Sequence, residues 1–107
     1  MNPLQNFEAM LAQGQDNALL RYSLGNEYFK LKDFAMASLH FEQAVSQNPD
    51  YSAAWKLYGK SLVALQQSEK AIEVYTQGIA VAERIGDKQA AKEMQVFLKR
   101  LLKAANQ

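Results

Sequence analysis

Apolar residues recur along this chain every three or four positions, and strict apolar–polar alternation never persists, so the pattern predicts helices throughout. Leu4, Phe7, Met10 and Leu11 form the first stripe; Asn2 stands at a cap position, Pro3 suits a first turn, and Gly14 suits an end. Asp16 or Asn17 caps a second helix reaching about Lys30, with Leu20, Leu24, Tyr28 and Leu31 along one side. Asp33 caps a third, which reaches about Gln47 and is stopped by Asn48-Pro49, because the residue before proline is pushed out of helical geometry. A fourth starts between Asp50 and Ser52 and runs to about Gln66. Ser68 is expected to cap a fifth that ends at Ile85, where Gly86 tolerates the left-handed conformation that closes a helix. Asp87 caps a sixth whose Ala90, Met94, Phe97, Leu98, Leu101 and Leu102 share a face. With connections of two to four residues, neighbouring helices must run antiparallel. The expected fold is all-α, a single domain over 1–107 with about six helices and no linker.

These stripes repeat. One constant shift carries Leu24-Gly25 onto Tyr58-Gly59, Tyr28 onto Leu62, Leu31 onto Leu65 and Ala37 onto Ala71. The same shift carries Phe41 onto Tyr75, Ala44 onto Gly78 and Val45 onto Ile79. A fixed period of this size means stacked copies of one helical unit, each too small to bury its apolar face alone. Gly25 and Gly59 fall inside helices, where glycine costs about 1 kcal/mol relative to alanine. The compensation expected is close approach of a partner helix, with Ala37 and Ala71 small for the same reason and Phe41 and Tyr75 as knobs filling the gap to the next helix pair.

On these residues the chain resembles the tetratricopeptide repeat family, whose 34-residue unit places Trp, Leu-Gly, Tyr, Ala, Phe and Pro at set spacings. Leu24-Gly25, Tyr28, Ala37, Phe41, Ala44 and Pro49 match without a gap, and Trp55, Tyr58-Gly59, Leu62, Ala71 and Tyr75 offer a second copy in register. Arg21 replaces the Trp of the first copy, and Glu83 replaces the closing Pro of the second, which lets the fifth helix run on about two turns to Ile85. Phe7 and Leu11 lie one such period before Phe41 and Val45, so the first helix reads as the second half of a degenerate leading repeat. After the second copy a spacing of about 40 puts Leu98 opposite Tyr58 and Leu102 opposite Leu62, with Lys92, Lys99, Arg100 and Lys103 as the polar outer face of a cap. The resemblance implies a right-handed solenoid of antiparallel helix pairs: a leading half-repeat over 3–14, repeats over 18–51 and 52–85, and a capping helix over 87–105.

Composition narrows the functional classes. An apolar content of 49% supports a continuous core. The net charge of +1 gives no strong global field toward nucleic acid or an anionic membrane, so neither is expected as a partner. No cysteine is present, which excludes disulfides and thiolate metal sites and fits a reducing compartment. The N-terminus has no basic segment followed by an apolar run, and no apolar stretch approaches the ~18 residues of a membrane span, so a cytoplasmic protein is expected. The one histidine, His40, reads as a partly exposed mid-helix residue, with no Ser or Cys nucleophile beside it. Without a ligand cluster or a phosphate-cradling glycine loop, no cofactor, metal or enzymatic activity is expected.

Binding is the remaining class. In the family, the first helix of each repeat lines a concave groove, and the matching positions here are Leu19, Tyr22, Asn26, Phe29 and Lys30, then Ala53, Lys56, Lys60, Val63 and Ala64. Tyr22, Asn26, Phe29, Lys30, Lys56, Lys60 and Val63 would suit an extended peptide bearing an acidic group and an apolar anchor. Some members grip a chaperone's C-terminal carboxylate through a Lys and an Asn four residues apart. Tyr22 and Asn26 occupy those positions and Leu57 occupies the next Asn position, so that role is not implied. The resemblance therefore implies a non-catalytic adaptor for a protein or peptide partner. The alternatives are a self-associating homo-oligomeric module and, third, an RNA-binding one.

Overall fold

The computed structural model describes residues 1–106 and contains six helices: α1 (Pro3–Ala12), α2 (Ala18–Lys30), α3 (Phe34–Gln47), α4 (Ser52–Ala64), α5 (Ser68–Ile85) and α6 (Lys88–Ala105). Each packs on its chain neighbours, and α2 and α6 also flank α4, which gives an elongated body of 45 × 29 × 18 Å. The helix starts follow from side-chain capping. Asn2 and Gln5 form a reciprocal capping box, in which the Gln5 amide donates to Asn2 Oδ1 at 2.8 Å. Asn17, Asp33 and Asp87 accept from the third amide of α2, α3 and α6. Ser68 does not cap α5. The counterpart of Asp33 in the second unit is Gln67, which takes the cap position but makes no capping hydrogen bond, and Ser68 is already inside the helix.

The helix ends share one device. At the ends of α1, α2, α4 and α5 a residue with positive φ (Gly14, Lys32, Gln66 and Gly86) turns the chain back. The next amide then bonds a carbonyl five residues earlier: Gln15 to Met10, Asp33 to Tyr28, Gln67 to Leu62, Asp87 to Ala82, at 2.8–3.1 Å. This is the Schellman arrangement, which satisfies carbonyls left over by the last turn. It ends α1 at Ala12 and α4 at Ala64, ahead of Gly14 and Gln66. Without the proline, α5 exceeds α3 by four residues, about one turn at 3.6 residues per turn rather than two. The connection after α5 is in turn two residues shorter than the one after α3, so α6 starts 36 residues after α4. The offset is 36, not 40. It sets Met94 opposite Tyr58 and Leu98 opposite Leu62.

Packing explains the glycines. A Cβ on Gly25 would lie 2.6 Å from the buried Phe41 ring; one on Gly59 would strike Tyr75, and one on Gly78 would strike Met94 and Trp55. Phe41, Tyr75 and Met94, all essentially inaccessible, are thus seated directly on the backbone of the opposing helix. Trp55 keeps its indole N–H satisfied by donating to the Pro49 carbonyl at 2.8 Å. Successive units are also stitched by tyrosines: Tyr28 donates to Glu8 at 2.6 Å and Tyr58 to Glu42 at 2.9 Å, the two glutamates standing one repeat apart. The Tyr28 phenol is pushed up to about 12, chiefly because ionisation would set its oxygen against Glu8.

The first unit differs from the second at two matched positions. Where the second has Trp55 and Val74, the first has Arg21 and His40. Arg21 forms a two-pronged pair with Asp16 at 2.8 Å, Gln47 adds a third bond to that carboxylate, and the Asp16 carboxyl is held well below its usual range. His40 is buried, not partly exposed as expected from its polarity. Its ring stacks on Tyr28 at 5.6 Å, and its Nδ1 lies 3.2 Å from Arg21 Nη1. A guanidinium only donates, so Nδ1 accepts and the ring proton sits on Nε2, which has no partner among the described residues.

Candidate partner-binding site

The first helices of the units, α2, α4 and α6, lie side by side and form one face of the body. Along α2, Tyr22 stacks on Tyr51 at 4.8 Å and tilts against Phe41, while Phe29 meets Phe34 edge-on at 5.2 Å. Both rings are half-buried, so much of their area already serves packing. Lys30 is exposed and pairs with Glu27 one turn away at 2.8 Å, a contact worth a few tenths of a kcal/mol at a surface. Asn26 is half-buried, and its side-chain amide has no hydrogen-bond partner among the described residues.

Along α4 the seam with α6 is closed at one end and open at the other. Ser52 donates to Asp87 at 2.5 Å, which helps hold that carboxyl below its ordinary range, and Lys56 reaches Glu93 at 3.2 Å. One turn on, the Lys60 ammonium lies over the Phe97 ring, 5.0 Å from its centroid. Beyond that point α6, five residues longer than α4, continues past it. A cleft of about 560 Å³ opens there between Lys60 and Val63 of α4, Ser68 and Tyr75 of α5, and Phe97, Arg100, Leu101 and Ala104 of α6.

The seven expected residues therefore divide. Lys60 and Val63 meet in the cleft, Lys56 is engaged by α6, and Tyr22, Asn26, Phe29 and Lys30 form a separate row on α2. Phe97, Leu101 and Ala104 were not among the expected site residues, and Arg100, expected on the outer polar face, lines the cleft. The signal for them is the greater length of α6, visible once its register is set at 36 residues from α4. Chemically the face offers cations, one amide and apolar surface. Among the described residues no cluster of three or more His, Cys, Asp or Glu side chains converges to hold a metal. No described helix is long and apolar enough to cross a membrane.

Comparison with known proteins agrees with this architecture. The sequence profile of the tetratricopeptide repeat family matches residues 18–51. A TPR repeat-containing protein of Pseudomonas aeruginosa is 46% identical over 101 residues, spanning 94% of this chain and 96% of the relative. The solution structure of a Bordetella parapertussis protein superposes with a TM-score of 0.83 at 41% identity, covering 97% of this chain and 90% of that one. The first TPR of Spaghetti, bound to an HSP90 peptide, superposes with a TM-score of 0.80 at 23% identity, covering 97% of this chain and 80% of its own, a likeness of fold.

Proposed function

Because the chain belongs to the tetratricopeptide repeat family, we propose that it is a non-catalytic interaction module that holds an extended segment of a partner protein across α2 and α4. The observation that carries this reading is the half-buried Asn26 amide, unpartnered among the described residues, on the face formed by the first helices. An amide offers one acceptor and two donors, the complement of an extended backbone. Tyr22 and Phe29 beside it supply apolar surface, and Lys60 favours an acidic segment; Lys30 and Lys56 contribute where a ligand displaces Glu27 and Glu93. The HSP90 peptide carried by the Spaghetti domain supports a peptide as ligand class, while Tyr22 and Leu57 argue against that particular peptide. The cysteine-free composition supports a reducing, cytoplasmic setting.

Selection of random displayed peptides on the purified protein tests the reading. Enrichment of related sequences is expected, with Asn26→Ala weakening the selected peptide by about three- to tenfold in fluorescence anisotropy, the value of one or two hydrogen bonds. Failure to enrich any family of peptides, or a stable dimer in size-exclusion with light scattering whose contact buries α2 and α4, overturns it.

A further inference from the structure

The strongest feature outside the α2 row is the open end of the α4–α6 seam. Its walls are apolar, formed by Val63, Tyr75, Phe97 and Leu101, and its rim carries Lys60 and Arg100. Residues 88–105 contain five cations, Lys88, Lys92, Lys99, Arg100 and Lys103, against a single acid, Glu93. That acid is taken by Lys56 at the closed end of the seam. Lys60 and Arg100 consequently have no carboxylate partner among the described residues. An apolar cleft beside uncompensated cations lowers the free energy of a ligand that is apolar at one atom group and anionic at the next. Neither half alone satisfies the site: an acid without an apolar group leaves the cleft wet, and an apolar group without an acid leaves two cationic side chains against low-dielectric surface.

We propose that the cleft between α4, α5 and α6 is an anchor pocket for one bulky apolar side chain of a partner peptide, with an adjacent carboxylate held by Lys60 and Arg100. This assignment rests on the peptide-binding reading and adds to it where specificity lies: in the C-terminal cleft, with Arg100 as the charge-reading residue. Its concave form distinguishes it from a membrane-seeking surface. The exposed large apolar residues of α6 outside it, Val96 and Leu102, stand six residues apart and so on different sides of the helix, not in a stripe that a bilayer could cover.

Amide chemical shifts of the labelled full chain, titrated with acetyl-Gly-Asp-Phe-Asp-Gly-amide, test it. Saturable shifts are expected at Val63, Ser68, Phe97, Arg100 and Leu101. Affinity should fall at least about tenfold when the peptide's Phe becomes Ser or its Asp residues become Asn, and equally for Arg100→Glu and for Ala104→Phe, which plugs the cleft from an exposed position. Spectra of both variants elsewhere should match wild type, which separates lost binding from lost folding. Shifts confined to α2 and the first turns of α4 overturn the pocket while leaving the wider reading intact. Equal binding of the Asn peptide overturns the carboxylate role. Loss of α6 signals on anionic phosphatidylserine vesicles without peptide response, or shifts that follow protein concentration alone, assign the cleft to a membrane or to a second copy instead.

Discussion

Residue-scale chemistry is most informative where the two units disagree. Trp55 and Val74 are an apolar pair, and their counterparts Arg21 and His40 are a polar pair in the same geometry. Burial, and then the Arg21 guanidinium, lower the His40 pKa, with Glu8 and Asp16 opposing more weakly. The folded chain therefore binds fewer protons than the unfolded chain below the ordinary histidine range. Stability that is present above about pH 6.5 falls as the pH drops through the region between the unfolded and the folded pKa. Urea midpoints measured from pH 7.5 to pH 5 are expected to decline for wild type and to flatten over this interval for His40→Leu; equal slopes would show that His40 charges freely in the folded state. The sequence gives no reason to expect a catalytic role for His40, since its neighbours Leu39 and Phe41 offer no nucleophile. Its burial was not legible, because polarity predicts exposure and only the Arg21 and Tyr28 contacts make a buried imidazole tolerable.

At the scale of elements, the strong signals were the caps and the stop. Asn2, Asp33, Asp87 and Pro49 act through local backbone chemistry that needs no partner helix. The Schellman ends of α2 and α4 were less visible, since Lys32 and Gln66 are not residues that advertise a left-handed conformation. Both have φ of 61°, both are exposed, and they stand one repeat apart, so each unit carries the same strain at its inner turn. Lys32→Gly and Gln66→Gly are each expected to stabilise the chain by about 0.5–1 kcal/mol, the relief of the left-handed penalty less glycine's extra chain entropy. Chemical denaturation of the single and double variants checks this, and additivity is expected because the two turns belong to different units, one repeat apart. No gain in either variant would mean that the side chains contribute where none is observed. The one-turn extension of α5 had the same root: losing the proline at Glu83 allows a longer helix, but Gly86 decides where it ends.

For the whole molecule, stability is the sum of contacts between neighbours in the stack, so the last helix matters beyond its own length. Met94 is fully buried and seated on Gly78 against Trp55, joining α6 to the second unit. Met94→Ala is expected to destabilise the chain by about 2–5 kcal/mol through lost burial and a cavity. Thermal and urea unfolding should show one lowered transition; unchanged stability would mean that α6 is not integral to the core. The sequence by itself determined the helical class, the repeat period, the close helix approach at Gly25 and Gly59, and the caps at Asn2, Asp33 and Asp87, because these depend on spacing along the chain and on local hydrogen bonds. Tertiary structure alone decided the offset of α6 from α4, the burial of His40, the capture of Lys56 by Glu93, and the cleft that Lys60 and Arg100 both line. These arise between helices that are distant in sequence. Their geometry depends on where each helix stops and how far its neighbour continues, which the pattern of polar and apolar residues leaves open.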